Sequence, residues 1–493
     1  MIKNAQLWQG FLQFFLLFGY FSSVIVRGQT NSLFRGYHGD KKDNDGIITD
    51  VPLTTKLSNG LIMPLVGLGV GNLQRNLVET MIHHGLNDDL RVRLIDTAHQ
   101  SGNEREVARG ITTGVKDLKE KWASNTSNNH DSSKERIQVH VVTKIWYTYL
   151  GYARTKLAVD EILQSFEEAI KDSNVDLKLT IILHWPQCHD NIPWMNCKEE
   201  EDQLPDRIKN AGPPPHLDKA SWKESWRALE EIYDNNNSVD NNNDEYSSVI
   251  AGIGISNFDY DTLQTLLQTS KVAPHLAQIN VWSVMNDPAF IELLHENNIH
   301  IQVYNVMNGI IEQVLNNPKA HHHILMIANQ LEQKSIHSSS SSANDEIVEK
   351  VYFSQVILKW LVQFGISVIP RTSQSNRLTQ NSAVAISKIP SMSEEQMDTA
   401  GRAILAFINN QDLEDDKLVK VRFHAKESDM FLYWVSQEDN ESQLAFIEKG
   451  SSYEEHTHPG HRFKVYHAYD PDQFESFSIH GHYGDSQDIH VEL

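Results

Sequence analysis

Along residues 52–410, short runs of Val, Ile and Leu alternate with amphipathic stretches, and the cycle occurs eight times. The runs are "MPLVGLG", "VRLIDTA", "VHVVTKI", "LTIILHW", "VIAGIGIS", "LAQINV", "IHIQVYNV" and "ISVIP". The most regular amphipathic stretch is "RTKLAVDEILQSFEEAIKDS", in which Leu157, Ile162, Leu163, Phe166, Ala169 and Ile170 recur at helical spacing and make one apolar face. Strands this apolar are buried on both sides, as in parallel sheets covered by helices. Eight strand–helix cycles predict an α/β fold, a closed parallel (β/α)8 barrel of the TIM type, rather than an open doubly wound sheet.

After about Asn410 the period changes. The segments "KLVKVRFHA", "MFLYWVSQ", "QLAFIEKG", "RFKVYHAYD", "FESFSIHG" and "DIHVEL" alternate with turn residues and lack helical spacing. They predict a small all-β, sandwich-like module over 416–493, with a boundary near 411–416. Within the barrel region, "SNTSNNHDSS", "DNNNSVDNNND" and "SIHSSSSSAND" read as polar insertions that bury no apolar surface. The proline-bearing "EEEDQLPDRIKNAGPPPH" reads the same way, so all four are expected to be exposed and mobile.

The amino terminus differs again. Lys3 precedes a mostly apolar segment, Leu7 to Val26, followed by Arg27 and Gly28. Residues 1–28 fit a secretory signal peptide or, uncleaved, a membrane anchor. Both readings put the protein in the secretory pathway, and the sequons at Asn125, Asn236 and Asn440 suit a glycoprotein made there. The two cysteines, Cys188 and Cys197, match no zinc spacing and are open to either pairing or two free thiols. A formal net charge of -22 excludes nucleic acid and anionic membrane surfaces as main partners, leaving small molecules or proteins. Membrane contact is expected only through an uncleaved amino-terminal segment.

Candidate chemistry lies where the strands end, since active sites of such barrels sit at the carboxyl ends of the strands. Asp96, Lys144 and His184 close three consecutive strands. A buried lysine beside an aspartate and a histidine can tune an acid or polarise a carbonyl oxygen.

At these positions the chain resembles the aldo-keto reductase family over residues 52–410. "LSNGLIMPLVGLGVG" is similar to that family's opening hairpin and first strand, and "LIDTAHQSGNEREV" to its Asp-Thr-Ala…Gly-Asn-Glu signature. "VVTKIW", "LTIILHWP", "GIGISNF", "AQINV" and "VIPRTSQSNRLTQN" follow in the family's order. The resemblance implies reduction of a small-molecule carbonyl with NADPH held across the barrel mouth, and no metal. It assigns Ser256, Asn257 and Gln278 to the carboxamide and Tyr304 to stacking on the nicotinamide. Arg371, Thr372 and Arg377 are assigned to the ribose phosphate, and Asn381 to the adenine. Two guanidinium groups suit a phosphate and favour the phosphorylated cofactor.

One departure is central. Family members donate the proton from a tyrosine, and Ser101 stands in its place here, with Gly69-Val70-Gly71 where the family has glycine-threonine-tryptophan. A serine hydroxyl is far less acidic than a phenol of pKa ~10. Three alternatives remain open: His184 acts as the acid, directly or through a water; His99 turns inward and donates; or the barrel has lost hydride transfer and binds a nucleotide or a protein.

The carboxy-terminal module is similar to the von Hippel-Lindau β-domain in "FLYWVSQ" and "GSSYEEHTHPGHRFKVYHA". By this resemblance Thr457 and His461 match peptide-contacting positions, Phe463 an aromatic contact, and Leu444 the position of a contacting tyrosine. It implies the fold and a protein partner rather than hydroxyproline binding. His456 and His458 form half of a cupin-like metal motif without the carboxylate that completes it, and read otherwise as a solvated turn.

Overall fold

The computed structural model describes residues 51–124, 136–189, 191–237, 249–308, 310–339, 350–413, 419–435, 441–457, 461–479 and 486–493. Residues 1–28, the sequons at Asn125 and Asn440, His458 and most of the three Asn- and Ser-rich insertions lie outside them. The chain divides into two compact units, one from Met1–Asn308 and Leu358–Lys388, the other from Gly309–Ile357 and Ile389–Leu493.

In the first unit each of the eight apolar runs becomes a strand. A hairpin of β1 (Thr54–Lys56) and β2 (Ile62–Pro64) precedes them. The strands are β3 (Leu68–Gly69), β4 (Leu94–Asp96), β5 (Ile137–Ile145), β6 (Val175–Leu183), β7 (Ile250–Ser256), β8 (Leu276–Asn280), β9 (His300–Tyr304) and β10 (Ser367–Val368). They form one parallel sheet in sequence order. Parallel bridges Val66↔Val368 and Gly69↔Arg371 join its two ends, closing the (β/α)8 barrel. Closure requires close backbone approach. A side chain at Gly69 would meet the Ile369 carbonyl at 2.9 Å, and one at Gly254 would collide with the carbonyl of Leu276.

The interior holds Leu94, Val142, Ile182, Leu276 and Ile369 with Leu57 and Met63 from the hairpin region. Helices cover the outside, beginning with Arg75–Gly85 packed against Glu104–Ser124. The long amphipathic stretch does not form one helix. It is Tyr152–Ser165 followed by Glu167–Lys171, interrupted at the fully buried Phe166.

The segment after β6 corrects an expectation. "EEEDQLPDRIKNAGPPPH" is ordered, with helices Cys197–Gln203 and Asp206–Lys209. Ile208 is fully buried, and Arg154 and Glu201 form a buried two-bond pair at 2.8 Å each. Cys188 and Cys197 are joined in a disulfide, with Cα atoms 5.9 Å apart. Buried ion pairing, the disulfide and the burial of Ile208 together order this segment, which its polar composition does not reveal.

The second unit contains helices Pro318–Ser339 and Glu394–Asn409, packed together, and seven strands. Strands β11 (Val419–Ala425), β14 (Ser452–Thr457) and β17 (Ser486–Val491) make one sheet. Strands β12 (Met430–Val435), β13 (Glu441–Ile447), β15 (Arg462–His467) and β16 (Asp470–Ser478) make the other. Phe423, Leu432, Phe463 and Val465 fill the core of this all-β region. Six of the strands follow the sequence pattern; β14, "SYEEHT", has too few apolar residues to announce itself. Among the described residues no helix is long and apolar enough to cross a membrane.

Candidate active site

The carboxyl ends of β4, β5 and β6 deliver Asp96, Lys144 and His184 to one place. Asp96 ends β4 and Lys144 is the penultimate residue of β5. The Lys144 ammonium donates to Asp96 Oδ1 at 2.5 Å and to the Thr97 carbonyl at 2.6 Å, and the two side chains are only 6% and 9% exposed. From β8, Gln278 Nε2 donates to the same Asp96 oxygen at 2.7 Å and to Gln302 Oε1 at 2.8 Å.

The loop after Asp96 is fixed by its own polar residues. Thr97 donates to Asn103 Oδ1 at 2.6 Å, and Asn103 donates onward to the Val70 carbonyl at 3.0 Å. Gly102 adopts the left-handed region, φ 59°, which lets the chain turn into helix Glu104–Ser124. Ser101 precedes this turn, partly exposed. Beside it, only the Ser101 hydroxyl comes within 4 Å of where a side chain at Gly71 would project, at 3.6 Å. His99 is engaged elsewhere: its Nε2 lies 2.8 Å from Glu161, and its ring packs edge-on to Tyr149.

His184 is half-buried with its backbone N–H on the Ile145 carbonyl. Its Nδ1 is enclosed and, among the described residues, has no protein hydrogen-bond partner. Burial first, and then the charge of Lys144, hold its pKa well below the ordinary imidazole range. The ring packs edge-on against Trp146 at 4.9 Å.

Opposite the carboxylate network, Ser256 ends β7 and Asn257 follows with φ 57°. An asparagine tolerates the left-handed region better than most residues, and such strain collects at functional sites. Asn257 Nδ2 donates to the His184 carbonyl at 2.9 Å and to Ser256 Oγ at 3.1 Å, while the Tyr304 phenol donates to Asn257 Oδ1 at 2.5 Å. Burial pushes that phenol up from its ordinary value. Tyr304 remains half-exposed at the mouth. After β10, Arg371 is exposed and donates to the Gly71 carbonyl at 3.2 Å, and Thr372 Oγ1 accepts from the Gln374 N–H at 3.0 Å. Arg377 lies on helix Ser375–Gln380 and Asn381 caps its end.

A family model for the aldo/keto reductase family matches residues 67–402. The chain belongs to the aldo/keto reductase family. It is 25% identical over 334 residues to the NAD(P)H-dependent D-xylose reductase of Kluyveromyces lactis, covering 66% of this chain and 86% of that protein. To the NADPH-dependent D-xylose reductase of Candida boidinii it is 26% identical over 330 residues, 67% of this chain and 87% of the relative. A solved aldo/keto reductase from Brucella melitensis aligns with 72% of this chain and 99% of its own at 19% identity and a TM-score of 0.45.

Within this aldo/keto reductase barrel, several residues of the site escape the sequence pattern. Gln302 tethers Gln278, and its signal is a polar residue between Ile301 and Val303 in the strand, two before Tyr304 and so on the same side. Glu104 is buried and accepts from Thr143 Oγ1 at 2.5 Å, its carboxyl raised by burial. Trp146, the last residue of the "VVTKIW" signature, touches His184, a contact the signature does not announce.

Proposed function

We propose that this chain reduces an aldehyde or ketone to an alcohol with NADPH. The observation that carries the reading is the network in which Lys144 and Gln278 share Asp96, with His184 beside it. The residues fit the nucleotide. Asn257, Ser256 and Gln278 offer amide and hydroxyl groups for a carboxamide; Gln278 uses its amide nitrogen on Asp96 and Gln302, leaving its oxygen to accept. The half-exposed Tyr304 ring can stack on the nicotinamide, and the exposed guanidinium groups of Arg371 and Arg377, with Thr372 between them, suit the ribose phosphate. Asn381 is left for the adenine. The names of the two yeast relatives, both nicotinamide-dependent xylose reductases, agree with this cofactor.

Bound NADPH supplies a hydride to the carbonyl carbon, and the oxygen takes up a proton. His184, neutral because burial depresses its pKa, offers an N–H to the carbonyl oxygen but no labile imidazolium proton. Lys144, paired with Asp96, stabilises the negative charge that develops on that oxygen. Ser101 is too weak an acid to replace the family phenol. The proton therefore comes from solvent, with the partly exposed Ser101 standing where the phenol would be.

The test is NADPH consumption with a panel of aldehydes and ketones. Lys144→Met should lower kcat by about a hundredfold or more while NADPH still binds; unchanged turnover refutes the role given to Lys144. Ser101 favours a second reading, a nucleotide-binding barrel without turnover, which the same panel identifies.

The disulfide Cys188–Cys197 supports a secretory route, with residues 1–28 as leader or anchor. For the carboxy-terminal module the von Hippel-Lindau-like reading is one of fold and protein interaction. Thr457 is buried and bonded to His461, whose Nε2 is 3.3 Å from His322 Nδ1, so a peptide would meet residues already engaged.

A further inference from the structure

His184 lacks a feature that a carbonyl-orienting imidazole needs. Among the described residues no protein group hydrogen-bonds Nδ1 to fix the ring or its tautomer. Packing must do it. The ring in contact is Trp146, edge-on at 4.9 Å and itself only 7% exposed. Trp146 is oriented in turn, because its indole N–H donates to Glu200 Oε2 at 2.7 Å.

Glu200 sits on helix Cys197–Gln203, which is held on both sides of it. Cys197 is tied to Cys188 in the loop that follows β6, four residues beyond His184. The next residue, Glu201, is bound at 2.8 Å by both Arg154 nitrogens, and Arg154 also donates to the Thr148 and Gly212 carbonyls at 2.9 Å. The backbone N–H of Glu200 bonds to the Asn196 carbonyl at 2.8 Å. A surface carboxylate that merely accepts the Trp146 indole N–H, with the Tyr147 phenol also beside it, needs none of this support. A carboxylate that must hold an indole at a fixed angle to a catalytic ring does.

We propose that Glu200 is a positioning residue for carbonyl reduction, acting through Trp146 on the His184 ring, and that the Cys188–Cys197 bond keeps it in place. The proposal rests on the reductase reading of His184. It departs from a plain structural role in one respect: what matters is an acceptor at the Glu200 position, so glutamine should serve where alanine fails.

The experiment uses the full chain with Glu200→Ala, Glu200→Gln and the double variant Cys188→Ser/Cys197→Ser. Three quantities are read: NADPH affinity by nucleotide fluorescence, kcat and KM with 4-nitrobenzaldehyde, and the imidazole resonance of His184, assigned by its loss in His184→Gln. Glu200→Ala should lower kcat about tenfold or more, with NADPH affinity unchanged and the His184 resonance shifted or broadened. Glu200→Gln should restore kcat to within about threefold of the parent and leave the resonance in place. The serine double variant should fall between them. Equal loss in the alanine and glutamine variants, or an unmoved resonance in Glu200→Ala, overturns the proposal. If the parent binds NADPH yet reduces no carbonyl, the reductase reading fails, and the resonance alone still decides whether Glu200 positions His184.

Discussion

Ser101 is the residue on which the proposed reduction turns. Its hydroxyl lies 3.6 Å from the position a Cβ on Gly71 would take, so the missing side chain at residue 71 leaves space on that side of Ser101. A phenol there would supply the acid that neutral His184 and a serine hydroxyl do not. Ser101→Tyr should therefore raise kcat for aldehyde reduction by about tenfold or more, measured at saturating NADPH. An unchanged or lower kcat in a variant that still binds NADPH would mean that protonation does not limit the rate. Asp96, Lys144 and His184 are legible in the sequence because each polar residue ends an apolar strand. Glu200 and Trp146 are not, because their roles come from a contact 54 residues apart in the chain.

At the scale of elements, the eight apolar runs are legible as a parallel sheet covered on both faces, and their number favours the closed barrel over an open doubly wound sheet. Two elements escape that logic. Strand β14 carries Glu454, Glu455 and His456 and is recruited by register with β11, from Val419↔Thr457 to His424↔Ser452. The segment after β6 is ordered by one disulfide and one ion pair, which no local period encodes. That pair yields a prediction. Arg154 and Glu201 are 1% and 7% exposed, so Glu201→Ala leaves a buried guanidinium without its carboxylate. The cost should be about 3 kcal/mol in urea unfolding, with the double change Arg154→Met/Glu201→Leu costing less. An unaltered midpoint for Glu201→Ala would show that the pair does not hold the segment.

Across the whole molecule, stability should depend on acid. His140 and His275 are depressed to about 4 and His300 to about 3, each chiefly by burial. All three lie in or beside the barrel strands, where His300 bonds Ser367 across β9 and β10 at 2.7 Å. Their folded pKa values lie below the ordinary 6.5, so the unfolded chain binds more protons below that pH. The stability they contribute is complete above pH 6.5 and is lost as pH falls toward 4, by about 2 kcal/mol for each histidine at pH 5. Urea unfolding at pH 7 and pH 5 measures it, and His300→Gln should flatten the dependence by about one proton. Equal stability at the two pH values would contradict the buried, neutral state of these side chains.

The most direct test of the account is titration of NADPH, with NADH beside it, into the protein lacking residues 1–28, followed by nucleotide fluorescence. Saturable binding that favours NADPH by about tenfold or more is expected, with the preference lost in Arg371→Ala and Arg377→Ala. Binding of neither nucleotide would contradict it, leaving a barrel with the family's fold and without its chemistry.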